Sequence, residues 1–178
     1  MTGNEHKDHS RAVHHHHHHA DEQVEAIPCA VLTISDSRTN FTDDSGKIIM
    51  HALKEAGHAV EHYEILKDET DAVHATIDKL LNGNVSVLIT NGSTGVGVRD
   101  IVIEAMTPLL DKRLDGFGQL FRQLSYEEIG SAAIMTRALG GTARGKIVFC
   151  LPGSPNACTL AMEKLILPEL KHLVWLVR

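Results

Sequence analysis

Val85-Ser-Val-Leu-Ile-Thr90, running on into Asn91-Gly-Ser-Thr-Gly-Val-Gly-Val-Arg-Asp100, is the stretch whose reading decides the fold. The first six residues are apolar and β-branched enough to make a buried strand. Gly92, Gly95 and Gly97 then impose a turn in which few side chains screen the backbone N–H groups. A helical pattern, Ile101-Val-Ile-Glu-Ala-Met-Thr107, follows at once. Strand, bare loop and helix start together can hold an anion, because unpaired amides and the positive end of the helix dipole face the same spot. The loop is not a Walker A motif, since no Lys-Ser/Thr pair follows its last glycine. It is not a dinucleotide fingerprint either, because Asp100 stands where the third glycine is required. Taken alone, it reads equally well as a glycine-rich turn with no ligand.

Outward from this centre, strands and helices alternate. Upstream, Cys29-Ala-Val-Leu-Thr-Ile-Ser35 reads as a first buried strand, ending in the polar cluster Ser35-Asp36-Ser37-Arg38. Asp43-Asp44-Ser45-Gly46 opens a helix with Ile48, Ile49, Ala52, Leu53 and Ala56 on its apolar face, closed by Gly57. Residues 60–66 alternate as a second strand, followed by Lys67-Asp68-Glu69-Thr70 and a helix carrying Val73, Ile77, Leu80 and Leu81. Downstream, the helix after the central loop breaks near Pro108. Residues 116–125 and 126–130 read as short helices with Phe117, Leu120, Phe121 and Leu124 inward. Residues 132–139 read as helix or irregular chain, Gly140-Gly141 as a turn, and Lys146-Ile-Val-Phe-Cys-Leu151 as a final strand. Pro155 suits the first position of a helix after the tight loop Pro152-Gly153-Ser154. The apolar stretch at 166–177 is ready to pack on the body or on a neighbour. Such alternation predicts an α/β fold, three layers α/β/α around a mainly parallel sheet.

Composition limits the possibilities. The 178 residues suffice for one domain with a real core. Residues 1–26, polar and carrying six histidines at 14–19, have no apolar periodicity and read as a disordered tail, native or an affinity tag. Residues 27–178 form the domain. A net charge of -6 argues against broad attraction to nucleic acid, so an anionic ligand must be drawn by a local site. No apolar run reaches the ~18 residues of a membrane span, and no signal-peptide pattern is visible. Cys29, Cys150 and Cys158, an odd set without C-x-x-C, read as small buried residues in a reducing compartment, with the cytoplasm as the expected location.

In an open parallel sheet, ligands bind beyond the carboxyl ends of the strands. Four loops leave those ends here. They bring hydroxyls (Ser35, Ser93, Thr94, Ser154), glycine amides, and the carboxylates Asp36, Asp68 and Asp100. Hydroxyls and amides suit phosphate oxygens, whereas carboxylates need a cation between, which points to a Mg²⁺–phosphate ligand. Asp44, Asp68 and Asp100 all precede helices, so each also reads as a plain N-cap. Arg99 and Arg137 read equally as solvated surface charges.

Seven pieces in one order carry a resemblance: Thr33-Ile-Ser-Asp-Ser37, Asp44-Ser-Gly46, Thr90-Asn-Gly-Ser-Thr-Gly95 with Arg99-Asp100, Gly116-Phe-Gly118, Leu124-Ser-Tyr-Glu-Glu-Ile-Gly130, Thr136-Arg-Ala138 and Leu151-Pro-Gly-Ser-Pro155. Over residues 28–173 the chain resembles the MoaB/MogA family, the molybdopterin-binding, molybdopterin-adenylyltransferase domain also found in gephyrin-type proteins. The Glu-Glu-Ile-Gly and Pro-Gly-Ser-Pro pieces favour its MoaB-like branch. The resemblance implies a MogA-like fold and a step of molybdenum cofactor biosynthesis in which molybdopterin is joined to the AMP part of MgATP, releasing pyrophosphate. It implies that Asp68 and Asp100 serve Mg²⁺–ATP and catalysis. It implies substrate or nucleotide contacts from Ser35, Asp36, Asp44, Ser45 and Gly46; from Asn91, Gly92, Ser93, Thr94 and Gly95; from Glu128 and Arg137; and from Pro152, Gly153 and Ser154. Its implied partners are the small-molecule pterin and nucleotide, further copies of the chain in a homotrimer or homohexamer, and the metal-inserting enzyme of the pathway, with neither nucleic acid nor membrane among them. The chain departs from the family at Ser93, where a glycine is usual, at Val102-Ile103 in place of Thr-Pro, and at Gln119 in place of Glu. These departures keep open a second reading, a catalytically silent molybdopterin-binding or scaffold protein of the same pathway.

Overall fold

A computed structural model describes residues 25–178, so the histidine tract and most of the proposed tail lie outside the described residues. Strand β1 (Pro28–Ile34) is buried almost throughout, and its neighbours are β2 (Ala59–Leu66) on one side and β3 (Val87–Asn91) on the other. β6 (Lys146–Leu151) continues the sheet beyond β3, followed by β5 (Leu139–Ala143) and the two-residue β4 (Lys112–Arg113), in the order β2-β1-β3-β6-β5-β4. The pairings of β1 with β2 and β3, and of β3 with β6, are parallel; those of β5 with β6 and β4 are antiparallel.

Because side chains alternate along a strand, each central strand feeds two cores. Cys29 and Val31 of β1, Val87 and Ile89 of β3, and Ile147, Phe149 and Leu151 of β6 face one layer. Ala30, Leu32 and Ile34, Leu88, and Val148 and Cys150 face the other. The first layer holds α1 (Asp44–Glu55), α4 (Asp115–Ile129) and the C-terminal helices α5 (Pro155–Ala161) and α6 (Leu167–Val177), joined by a π-helical turn at Met162–Ile166. The second holds α2 (Thr70–Leu81) and the short α3 (Val102–Met106). The chain steps from β1 outward to β2, then returns past β1 to β3. Crossovers of one hand therefore leave α1 and α2 on opposite faces. This is the three-layer arrangement with a mainly parallel sheet that the alternation predicted. Among the described residues no helix is long and apolar enough to cross a membrane.

The structure departs from the sequence reading on the antiparallel side. Gly140 and Gly141 are strand residues, not a turn, and they are glycines because a Cβ at Gly141 would sit 2.5 Å from the Lys112 carbonyl oxygen. The turn lies instead at Arg144-Gly145, with φ of 51° and 72°, the left-handed pair that a two-residue hairpin requires. The two short helices expected at 116–130 are one continuous α4. Its buried stripe runs through Phe117, Gly118, Phe121 and Ser125, which leaves Leu120 at the edge, 51% exposed. All three cysteines are free and buried, and burial pushes their thiols up to about 12. They serve as small apolar residues.

Candidate functional site

β1 lies between β2 and β3, so the chain leaves the carboxyl ends of β1 and β3 in opposite directions and a crevice opens between the two exits. A cavity of about 540 Å³ occupies it, lined from β1 and its loop (Thr33, Ser35, Ser37, Arg38, Asp43), from the loop after β2 (Asp68), from the glycine loop (Asn91 to Gly95, Asp100), from the segment before β5 (Thr136, Arg137) and from Pro152, Gly153 and Ser154.

The glycine loop owes its shape to two residues of positive φ, Gly92 (88°) and Ser93 (53°). Gly92 could be nothing else, since its φ is strained for an L residue and a Cβ would run into the Ile34 carbonyl. Ser93 carries the strain expected of a serine in a glycine's place, and the structure shows what offsets it. Its hydroxyl accepts from the Ile101 N–H at 3.0 Å and its carbonyl from the Val102 N–H at 3.0 Å. It thus caps α3, which has no side-chain cap of its own. Asp100 folds back on the loop and accepts from the Gly97 N–H at 2.8 Å. Across the cavity mouth, Asp36 N–H donates to Asp68 Oδ2 at 3.0 Å and Asp68 N–H to Asp36 Oδ1 at 3.3 Å. Arg99 closes on the remaining oxygen of Asp36 at 2.7 Å. Asp68 and Asp100 therefore face one cavity, each with one oxygen held by a backbone amide.

The cavity floor itself is a chain of hydrogen bonds. Asn91 Nδ2 donates to Thr33 Oγ1 (2.9 Å), and Thr33 Oγ1 donates to Asp43 Oδ2 (2.5 Å). That same oxygen accepts from Tyr63 Oη (2.7 Å), while Asp43 Oδ1 accepts from the Gly46 N–H (2.9 Å) and so caps α1. Burial, reinforced by the hydrogen bond to Asp43, raises the Tyr63 phenol well above its ordinary range. Arg137 reaches in from the other side: Nη1 donates to the Gly95 carbonyl (2.9 Å) and Nη2 pairs with Glu104. The hydrogen bond from Arg137 holds the Glu104 carboxyl below its usual range.

Most of the residues singled out in the sequence meet here, and several do not. Ser35, Asp68, Asn91, Gly92, Ser93, Thr94, Gly95, Asp100, Arg137, Pro152, Gly153 and Ser154 line the cavity, and Asp36 sits at its mouth. Ser45 and Gly46 are buried behind it, where Ser45 Oγ donates to the Gly153 carbonyl at 2.8 Å and ties α1 to the last loop. Asp44 is outside the cavity: its side chain is 68% exposed and pairs with Lys47. Its neighbour Asp43 takes the inner position, because an N-cap accepts from the amide three residues on. Glu128 is displaced too. It lies near the end of α4, in a separate surface groove with Asn156 and Glu163. Sequence reasoning missed Asp43, Thr33 and Arg38. The capping register could have found Asp43, while the other two had no signal apart from their position at the end of a strand. Among the described residues no three His, Cys, Asp or Glu side chains cluster as a metal site. Of the three carboxylates among the described residues that line the cavity, Asp43 is taken up by Thr33, Tyr63 and the Gly46 amide, which leaves Asp68 and Asp100 for a cation, a donor set that suits a Mg²⁺ completed by water and ligand phosphates.

Residues 30–172 match the family described as "Probable molybdopterin binding domain". The chain is similar to molybdenum cofactor biosynthesis protein B of Bacillus cereus, 50% identical over 151 residues, which cover 84% of this chain and 89% of that one. Among solved structures it is similar to a molybdenum cofactor biosynthesis protein B (TM-score 0.83, 48% identity, 86% of this chain and 96% of that one). It is also similar to the tungsten cofactor synthesizing protein MoaB from Pyrococcus furiosus (TM-score 0.79, 36% identity, 87% and 99%).

Proposed function

The chain belongs to the molybdopterin-binding domain family, and from that premise we propose that it acts in molybdenum cofactor biosynthesis, joining molybdopterin to the adenylyl part of MgATP with release of pyrophosphate. One observation carries the reading: Asp68 and Asp100, from separate loops, line the same cavity as the amide-rich turn at Gly92 to Gly95. In such a displacement the pterin's terminal phosphate attacks the α-phosphorus, and the protein supplies position and charge neutralisation more than covalent chemistry. Backbone amides of the glycine loop, with Thr94, Ser35 and Ser154, orient phosphate oxygens. The free oxygens of Asp68 and Asp100 would hold Mg²⁺, which would supply charge neutralisation for the phosphates and the departing pyrophosphate. Arg137 fixes the glycine loop through the Gly95 carbonyl.

A second reading has its own support. Each of the two aspartates already holds a loop amide, and neither caps a helix as the sequence allowed, so both brace loops and the site also suits a protein that binds the pterin without chemistry. Incubating the protein with molybdopterin and MgATP separates the two. The enzyme releases pyrophosphate and forms adenylylated pterin, detected by mass spectrometry, and Asp100→Ala abolishes both while the protein stays folded. No pyrophosphate, under conditions where a known enzyme of this reaction turns over, refutes the first reading. We place the protein in the cytoplasm as a homotrimer or homohexamer that passes its product to the metal-inserting enzyme. The exposed Leu120, Tyr126 and Ile129 of α4 are apolar surface available to another copy, and light scattering of the purified protein reports the mass.

A further inference from the structure

We infer that Arg38 is the residue that grips the ligand's phosphate in the cavity, an inference that rests on the proposed function above. Among the described residues two guanidinium groups line the cavity, Arg38 and Arg137. Arg137 is committed, with Nη2 on the Glu104 carboxylate and Nη1 on the Gly95 carbonyl. Arg99, at the mouth, is committed to Asp36. Arg38 differs: among the described residues its guanidinium meets no carboxylate, and its one hydrogen bond is from Nη1 to the Thr42 carbonyl at 3.0 Å. The nearby carboxylates are engaged elsewhere. Asp43 is occupied by Thr33, Tyr63 and the Gly46 amide, and Asp68 Oδ2 by the Asp36 amide.

The loop that carries Arg38 is built to hold it there. Thr39 N–H donates to Thr42 Oγ1 at 2.9 Å, the Thr42 and Asp43 amides both return to the Thr39 carbonyl, and Lys47 Nζ clamps the Phe41 carbonyl at 2.7 Å. This bracket is closed at its far end by the buried cap Asp43. A guanidinium held at the edge of a cavity by one edge of its fork keeps the other edge for a ligand, and two parallel N–H donors match two phosphate oxygens. The chain as a whole carries a net charge of -6, so a local cation is needed to draw any phosphorylated ligand. Both the nucleotide and the pterin carry phosphate, and the shared group is what Arg38 recognises.

The test measures binding of MgATP, inorganic pyrophosphate, molybdopterin and adenosine to the full chain by calorimetry, for wild type, Arg38→Ala, Arg38→Lys and the control Lys54→Ala. Arg38→Ala is expected to weaken phosphate-bearing probes about ten- to a hundredfold and to leave adenosine within about twofold. Arg38→Lys should recover part of the loss, since it keeps the charge without the fork. Lys54→Ala, which removes a positive charge from the exposed side of α1, outside the cavity, should stay near wild type. A loss confined to MgATP and pyrophosphate assigns Arg38 to the nucleotide; a loss confined to molybdopterin assigns it to the pterin's phosphate. If Arg38→Ala binds every probe like wild type, the inference is overturned while the proposed function stands. Equal losses for adenosine and MgATP, or for the Lys54 control, also overturn it, because they mark a loop or bulk-charge effect. Wild type that binds none of the probes removes both the inference and the function on which it rests.

Discussion

Replacing Asp43 with alanine should damage the protein far more than the same change at Asp44, although the two are adjacent and both stand at the start of α1. Asp43 is 1% exposed and accepts three hydrogen bonds, from the Gly46 amide, the Thr33 hydroxyl and the Tyr63 hydroxyl. Losing an N-cap costs about 1 kcal/mol. Each hydroxyl stranded in a buried place adds about 1 kcal/mol, at the low end of the usual range because a hydroxyl can rotate to another acceptor. The sum is about 3 kcal/mol, a large share of the ~5–15 kcal/mol that holds a domain folded. For a chain of 178 residues this lowers the melting temperature by about 6–12 °C. Asp44, by contrast, is 68% exposed and makes a single pair with Lys47 at 3.7 Å, so its loss should cost less than about 0.5 kcal/mol. Urea denaturation followed by circular dichroism gives both values. If the two variants differ by less than about 1 kcal/mol, the buried network does not support the cavity floor and the account of Asp43 given above is wrong.

Two further outcomes follow from the same geometry. At Ser93, alanine keeps the strained φ of 53° but loses the cap on α3, so Ser93→Ala should destabilise by about 1–2 kcal/mol. Ser93→Gly relieves the strain as it loses the cap, and should fall within about 0.5 kcal/mol of wild type; the reverse order in urea denaturation would contradict the capping role. At high pH, Tyr63 should be the phenol that resists ionisation, because its folded pKa is raised by burial and by the hydrogen bond to Asp43. The stabilisation it contributes is complete below the unfolded value of about 10 and is lost as pH rises through the higher folded value. Absorbance at the phenolate band should therefore show a late component that disappears in Tyr63→Phe, and a native protein whose phenols all ionise at the unfolded value would refute it.

How far the chain could be read in advance depended on the range of the forces involved. The alternation of β1, β3 and β6 is local, and because each of these strands is apolar on both sides the three layers followed from it. So did the placement of the loops at one edge, since a parallel sheet puts all its carboxyl ends there. The antiparallel side was illegible for the opposite reason. Gly140 and Gly141 read as a turn by their own propensities, and only the approach of Lys112 and Phe117 makes them strand residues. Leu120 looked inward by spacing, yet the stripe of α4 turns toward Phe149, 4.8 Å from Phe117, and leaves it outside.

The site divides along the same line. By itself the sequence determined that an amide-rich loop, hydroxyls and two aspartates would share the rim of a parallel sheet, because residue type and strand polarity are properties of the chain. Which member of the Asp43-Asp44 pair turns inward, which of three arginines is left without a carboxylate, and that Ser93 can stand where glycine is usual were decided by the tertiary structure alone. Each depends on a partner distant in sequence or on a helical register, and hydrogen bonds at 3 Å are set by packing rather than by composition.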